Sequence, residues 1–252
     1  MAKVKVKQLP TRQRLRKGLL FGSFLLFPIT LYYMSPYIIV MGASEGIING
    51  SLIIFGLMFL ASLFLGRLWC GWVCPAGAMQ EFGMSINNRR VRGKRIDWIK
   101  WAIWIPWLSI IVVMVVRAGG YHSIEPFYQL ESGITLLQPG WYMIYYVVLL
   151  LFAIIAIAVG RRASCHTICW MAPFMILGRR IRNIARWPSL RLKADADQCI
   201  DCKQCTRDCP MSLDVNQMVR SGDMENDECV LCATCADTCP KNVISIPFSA
   251  GK

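Results

Sequence analysis

Two stretches near the C-terminus repeat one arrangement of thiols. The first is Cys199, Cys202, Cys205 and Cys209 followed by Pro210; the second is Cys229, Cys232, Cys235 and Cys239 followed by Pro240. Each reads C-x2-C-x2-C-x3-C-P. In this spacing three thiolates on one tight loop grip three irons of a cubane cluster, and the fourth, before proline, crosses to the neighbouring cluster. The resulting assignment is Cys199, Cys202, Cys205 and Cys239 on cluster one, and Cys229, Cys232, Cys235 and Cys209 on cluster two. Zinc sites ordinarily use two C-x2-C pairs, and cysteines this close together make poor disulfides. Two [4Fe-4S] clusters, and hence one-electron transfer, are the expected chemistry.

Four further cysteines stand in two C-x3-C blocks, Cys70 with Cys74 and Cys165 with Cys169. The first follows Gly66-Arg67 and precedes Pro75; the second follows Gly160-Arg161 and has Pro173 beyond it. On a helix this spacing sets two thiols at i and i+4, on one face. Four thiolates brought together would suit a third Fe–S cluster. A redox-active dithiol, capture of a soft metal, and plain buried cysteines at tight turns are the competing readings. His166 lies inside the second block, where a ligand, a proton relay and an ordinary interfacial histidine are all open.

The elements that position these thiols are apolar. The 252 residues are 55% hydrophobic and only 17% charged, against about 25% charged in ordinary soluble domains, and the mean hydropathy is +0.43. Residues 1–17 carry Lys3, Lys5, Lys7, Arg12, Arg14, Arg16 and Lys17. The uncharged stretch after them, residues 18–44, shows no convincing signal-peptide cleavage site and reads as a retained first span, bent or interrupted at Pro28 and Pro36. Residues 46–66, 101–116 and 141–159 are the other spans. The expected fold is a membrane α-helical domain of four transmembrane helices, in two duplicated hairpins each closed by a C-x3-C block, plus a C-terminal cytoplasmic bacterial-type 2[4Fe-4S] ferredoxin domain. The expected parts are a basic N-terminus (1–17), the membrane domain (18–194) and the ferredoxin domain (195–252).

Charge supports this plan. Residues 1–194 hold 23 Lys and Arg against 5 Asp and Glu, and residues 195–252 hold 5 against 10. With the N-terminus inside, the outer loops (41–46 and 118–140) contain no Lys or Arg, and 27 of the 28 basic residues fall inside, Arg117 alone excepted. The positive-inside rule then puts both termini, and all twelve cysteines, on the cytoplasmic face of a bacterial or archaeal inner membrane. There the basic balance reports orientation in the lipid bilayer rather than nucleic-acid binding. Trp69, Trp72, Trp98 and Trp101 fall near the inner interface, and the acidic ferredoxin domain can lie against the basic inner face. In the outer loop, His122 or Glu125 could accept quinol protons, with Tyr121, Tyr128 and Glu131 nearby; an ordinary solvated loop is the plainer reading. No nucleotide-binding glycine loop or haem-attachment motif is present.

The combination of Cys70-x3-Cys74-Pro75, Cys165-x3-Cys169, four spans and a double-cubane C-terminus resembles the NapH-type membrane ferredoxins. These accompany periplasmic nitrate reductase, with NosH and NosR relatives accompanying nitrous oxide reductase. Two departures are the missing proline immediately after Cys169 and the absence of further redox modules. The resemblance implies electron transfer between the quinone pool and a redox partner, such as a subunit of a respiratory complex or a soluble ferredoxin-like donor or acceptor. The chain would then be the quinol-oxidising or quinone-reducing component of an oxidoreductase. The alternative is an accessory protein delivering electrons, sulfur or metal to a maturing metalloenzyme.

Overall fold

The computed structural model describes residues 10–91, 96–130 and 139–251. Lys3, Lys5, Lys7, Glu131 and the 92–95 part of the basic segment after Arg89 lie outside the described residues. The chain is mostly helical. Helix α1 (Thr11–Leu25) begins inside the basic N-terminus and continues into the apolar stretch, so the expected boundary at residue 17 falls within a helix. The reason is its buried stripe of Gln13, Arg16 and Leu20, which a hydropathy profile cannot see.

Beyond α1 the prolines interrupt the apolar stretch, as expected. Short helices α2 (Phe27–Thr30) and α3 (Pro36–Ser44) each carry proline in the first turn, where its missing N–H costs nothing. Strand β1 (Ile47–Asn49) pairs in parallel with β2 (Ser123–Glu125), so the 46–66 stretch is not helical throughout. Asn49 fixes where helix α4 (Gly50–Leu65) starts: its side chain accepts from the Leu52 N–H at 2.9 Å. At 16 residues, α4 rises about 24 Å, less than a hydrocarbon core of about 30 Å.

Helices α5 (Leu68–Trp72) and α6 (Pro75–Gly83) come next, then α7 (Ile99–Arg117), α8 (Pro139–Val159), α9 (Ala163–Thr167) and α10 (Ala172–Ala185). Among the described residues, two helices are long and apolar enough to cross a membrane, spanning 96–117 and 142–159. Only 17% and 11% of these windows are buried, and Ile105, Val112, Val116, Tyr146, Val147 and Leu150 are among their exposed side chains. A soluble protein's core helix would be covered; this surface calls for an apolar surrounding.

The C-terminal unit is closed by two short antiparallel pairs. Strand β3 (Ser189–Leu190) pairs with β6 (Phe248–Ser249), and β4 (Lys193–Ala194) with β5 (Ile244–Ser245). Between them lie α11 (Gln204–Asp208), α12 (Val215–Ser221) and α13 (Thr234–Asp237). Pairing thus starts at Ser189, ahead of the expected boundary at 195. The unit shares one core with the helical part: Cys70, Cys165 and Met175 are packed in the same cluster as Val230, Leu231 and Cys232.

Candidate metal centres

The two C-terminal cysteine runs fold alike. Each loop takes two left-handed residues around its middle cysteine, Asp201 and Lys203 in one, Leu231 and Ala233 in the other. Three residues beyond each fourth cysteine stands another, Ser212 and Asn242. Such turns aim successive backbone N–H groups into a concavity that suits an anionic sulfur cluster. None of these residues is glycine, so the conformation carries a steric cost and needs its surroundings to hold it.

Two cavities result. One, with about 400 Å³ of atom-free space, is lined by Cys209, Cys229, Cys232 and Cys235 together with Pro210 and Met211. The other, with about 340 Å³, is lined by Cys199, Cys202, Cys205 and Cys239. In each, the fourth cysteine comes from the other run. The surroundings differ. Cys209, Cys229, Cys232 and Cys235 are all buried, whereas Cys199 and Cys239 are half-buried and Cys202 is exposed. Burial, with Cys232 and Cys229 beside it, pushes the Cys209 thiol up to about 12. A metal that replaces the proton removes that penalty.

The two C-x3-C blocks also share a plan. A long apolar helix ends at a glycine with positive φ, Gly66 at 57° and Gly160 at 124°; an arginine comes next, then a five-residue helix bearing the first cysteine, α5 or α9. The second cysteine lies beyond that helix, so the expected i, i+4 helical pair does not form. Cys74 is extended (φ −65°, ψ 119°) because Pro75 excludes the helical region for the residue before it.

All four thiols gather in one buried region. Cys70, Cys74 and Cys165 are buried and Cys169 half-buried. Burial first, then Cys165 and Cys70, pushes the Cys169 thiol up to about 12, and burial with Cys70, Cys165 and Cys169 raises Cys74. Among the described residues, Asp97, His166 and Glu228 are the one set of three or more candidate ligand atoms within 4.8 Å of one another. No three cysteine sulfurs among the described residues lie that close together, as one ion held through Zn–S bonds of about 2.3 Å would need. Buried donors around them, Arg67 Nε and Nη2, Arg162 Nε, Trp69 Nε1 and Ser164 Oγ, have no hydrogen-bond partner among the described residues. Cluster sulfur would supply acceptors for such groups. The residues fit a third Fe–S group.

Between the membrane-side thiols and the C-terminal unit lies a layer of buried arginines that sequence reasoning missed. Arg67, Arg162, Arg179 and Arg182 are at most 1% exposed. They and their neighbours grip the backbone of the second run. Arg179 Nη1 donates to the Cys229 carbonyl (3.1 Å), Trp72 Nε1 to Leu231 (3.1 Å) and Gln13 Nε2 to Cys232 (2.9 Å), while Arg161 Nη1 reaches the Cys209 carbonyl at the end of the first run (3.2 Å). On the other side, Arg162 Nη1 donates to the Cys70 carbonyl at 2.7 Å and Arg16 Nη1 to Gly71 at 3.1 Å. Gly71 lies so close that any Cβ there would collide with the Val230 carbonyl oxygen. The Gly-Arg that opens both blocks was the available signal, but the partners of Arg67 are 160 residues away.

Three carboxylates pair with the layer, fewer than its cations, and leave it net positive. Glu81 receives Arg16 (2.6 Å) and Arg162; Glu225 receives Arg179 (2.6 Å) and Arg191 (3.2 Å); Glu228 receives Arg67 (2.8 Å) and Lys100. Burial alone would raise the Glu228 carboxyl, but Arg67 and Lys100 outweigh it and hold it at about 2. His166 is buried, with Nδ1 2.6 Å from Asp97 Oδ1. Lys100, paired to Glu228 and 3.9 Å from Asp97, already supplies a cation to that cluster. His122 and Glu125 are far away on and beside β2, beyond the 19 residues of α7, which rise about 28 Å. His122 N–H donates to the Gly46 carbonyl at 2.9 Å.

This geometry agrees with the class of protein that the chain resembles in parts. Residues 50–94 match the 4Fe-4S binding domain family and residues 198–244 the 4Fe-4S dicluster domain family. The first range contains Cys70 and Cys74, and the second all eight C-terminal cysteines. The chain is an iron–sulfur protein.

Among its relatives, it is 23% identical over 206 residues to YccM of Escherichia coli, a proposed electron transport protein, covering 77% of this chain and 55% of that one. It is also 23% identical over 157 residues to the uncharacterized protein MJ0749 of Methanocaldococcus jannaschii, covering 61% of this chain and 55% of that one. The chain thus spans little more than half the length of these relatives. No solved structure matches it.

Proposed function

We propose that this protein is a membrane-anchored electron-transfer relay that moves electrons between the quinone pool and a redox partner, one at a time, through iron–sulfur clusters held in series. Cysteines 70, 74, 165 and 169 hold the inboard cluster. Cys229, Cys232, Cys235 and Cys209 hold the middle one, and Cys199, Cys202, Cys205 and Cys239 the outboard one. The clusters supply the one-electron chemistry; the chain supplies burial, spacing and hydrogen bonds that set their potentials. The observation that carries this reading is the direct packing of Gly71, next to Cys70, on Val230, next to Cys229. No solvent layer separates the two cysteine loops there.

Four spans anchor the relay in the inner membrane, with both termini and all clusters cytoplasmic. The exposed apolar surface of α7 and α8, and the grouping of 27 of 28 basic residues on one side, support that topology. YccM's proposed role in electron transport agrees with the reading. The test is cluster reduction followed by EPR in protein reconstituted anaerobically in lipid. Quinol, or a low-potential donor with quinone as acceptor, should change the cluster signals within the turnover time. Clusters inert to quinone and quinol in either direction would overturn the role.

A further inference from the structure

The two C-x3-C blocks reach across to one another. Gln80, on α6, and Met175, on α10, each stand six residues beyond the second cysteine of their own block. Both are 1% exposed. Gln80 Nε2 donates to Cys165 Sγ at 3.3 Å, and Met175 Sδ lies 3.7 Å from Cys70 Sγ. Each therefore touches the first cysteine of the opposite block. The two side chains are placed alike but differ in what they can offer a sulfur: an amide N–H donates, and a thioether cannot.

The Gln80 amide has one workable orientation. Its Oε1 accepts the Ser164 backbone N–H at 2.8 Å, and a backbone N–H can only donate, so the amide nitrogen faces the sulfur. That nitrogen also lies 3.4 Å from the Ala76 carbonyl, which leaves its second N–H for Cys165.

We propose that Gln80 and Met175 set the potential of the inboard centre, Gln80 raising it through its hydrogen bond to Cys165 and Met175 withholding the equivalent bond from Cys70. The inference rests on the third cluster proposed above, and adds what tunes it. Reduction adds negative charge to a cluster and its thiolates, so a donor aimed at a ligand sulfur stabilises the reduced state. A thioether presents lone pairs there and gives no such help. Gln and Met are similar in length and volume, so exchanging them changes the hydrogen bond more than the packing. Gln80→Met also takes the acceptor from the Ser164 N–H, whereas Met175→Gln leaves that bond in place.

The test is a spin-quantified EPR redox titration of the anaerobically purified full chain beside the Gln80→Met and Met175→Gln variants. Gln80→Met should lower the inboard midpoint and Met175→Gln should raise it, each by about a tenfold change in the reduction equilibrium, 59 mV for one electron. The C-terminal clusters should not move. Electron–nuclear double resonance in deuterated water should show one exchangeable proton lost from the inboard signal in the first variant and one gained in the second, which a purely structural role would not produce. Midpoint shifts of the same sign, or none, with the inboard signal present would overturn the pair's role and leave the third cluster standing. No inboard signal in the unmodified chain would overturn the third cluster and this role with it. Should either variant lose the centre, the sign of the other's shift decides.

Discussion

At Cys202 the first cluster loop reaches solvent, whereas at the equivalent Cys232 the second is buried and its carbonyl accepts a hydrogen bond from α1. The two loops share spacing, left-handed positions and fourth-cysteine exchange. Their environments share little: one is edged by exposed Ile200 and by Lys203, the other by Arg67, Arg162 and Arg179. The difference teaches that ligand geometry is written locally, while each loop's access to solvent is written by what packs against it. Buried beneath a cationic layer, the second loop can communicate only with its neighbours; the exposed loop is the one a soluble partner can reach.

The largest effects should come from the cysteines. Cys232→Ser and Cys202→Ser should each remove one cluster's iron. The buried substitution should also loosen the C-terminal unit from the helices, detectable as new protease cleavage near residue 189. The exposed one should leave that packing intact. Equal proteolysis of both variants would erase the proposed inboard–outboard difference.

Arg67→Met comes next. It takes one of two close cations from buried Glu228, which keeps Lys100, so the cost should lie at the lower end of the roughly 3–5 kcal/mol for breaking a buried pair, about 3 kcal/mol. Thermal unfolding followed by cluster absorbance should shift down accordingly, while Lys203→Met at the exposed loop should leave it unchanged. A smaller loss, roughly 1–3 kcal/mol for overpacking, is expected for Gly71→Ala, whose methyl meets the Val230 carbonyl. Smallest is Arg162→Gln. Removing a buried cation that donates to the Cys70 carbonyl and faces Cys165 and Cys232 should lower the inboard and middle clusters' midpoints by some tens of mV, where 59 mV is a tenfold change for one electron. The outboard cluster should not move. Equal shifts in all three, measured by EPR titration, would show that Arg162 acts on the fold and not on those two centres.

Legibility in the sequence divides along the same line, between local and distant causes. The cysteine runs were readable because their ligands repeat within eleven residues, and the proline interruptions at Pro28 and Pro36 because proline acts on its own turn. The extended Cys74 was also readable, since Pro75 comes directly after it, yet a helical pair was expected there. The arginine layer was not. Arg67, Arg162 and Arg179 read as positive-inside charges, and their conversion into buried struts depends on carbonyls of a unit far along the chain. The start of α1 was hidden for a related reason: Gln13 and Arg16 are polar in composition but buried in place. The strand at residues 47–49 depends on β2, more than seventy residues later, and no local pattern announces it.

The central claim is that three centres stand in series, two in the C-terminal runs and one between the membrane-side cysteine pairs. The most direct measurement is iron quantification with a spin-quantified EPR redox titration on anaerobically purified protein, beside the Cys70→Ser and Cys165→Ser variants. About twelve irons per chain and three titrating signals are expected, since each cubane carries four irons, with one signal lost in either variant. About eight irons, two signals, and spectra unchanged by both substitutions would contradict the claim and leave the buried quartet as thiols.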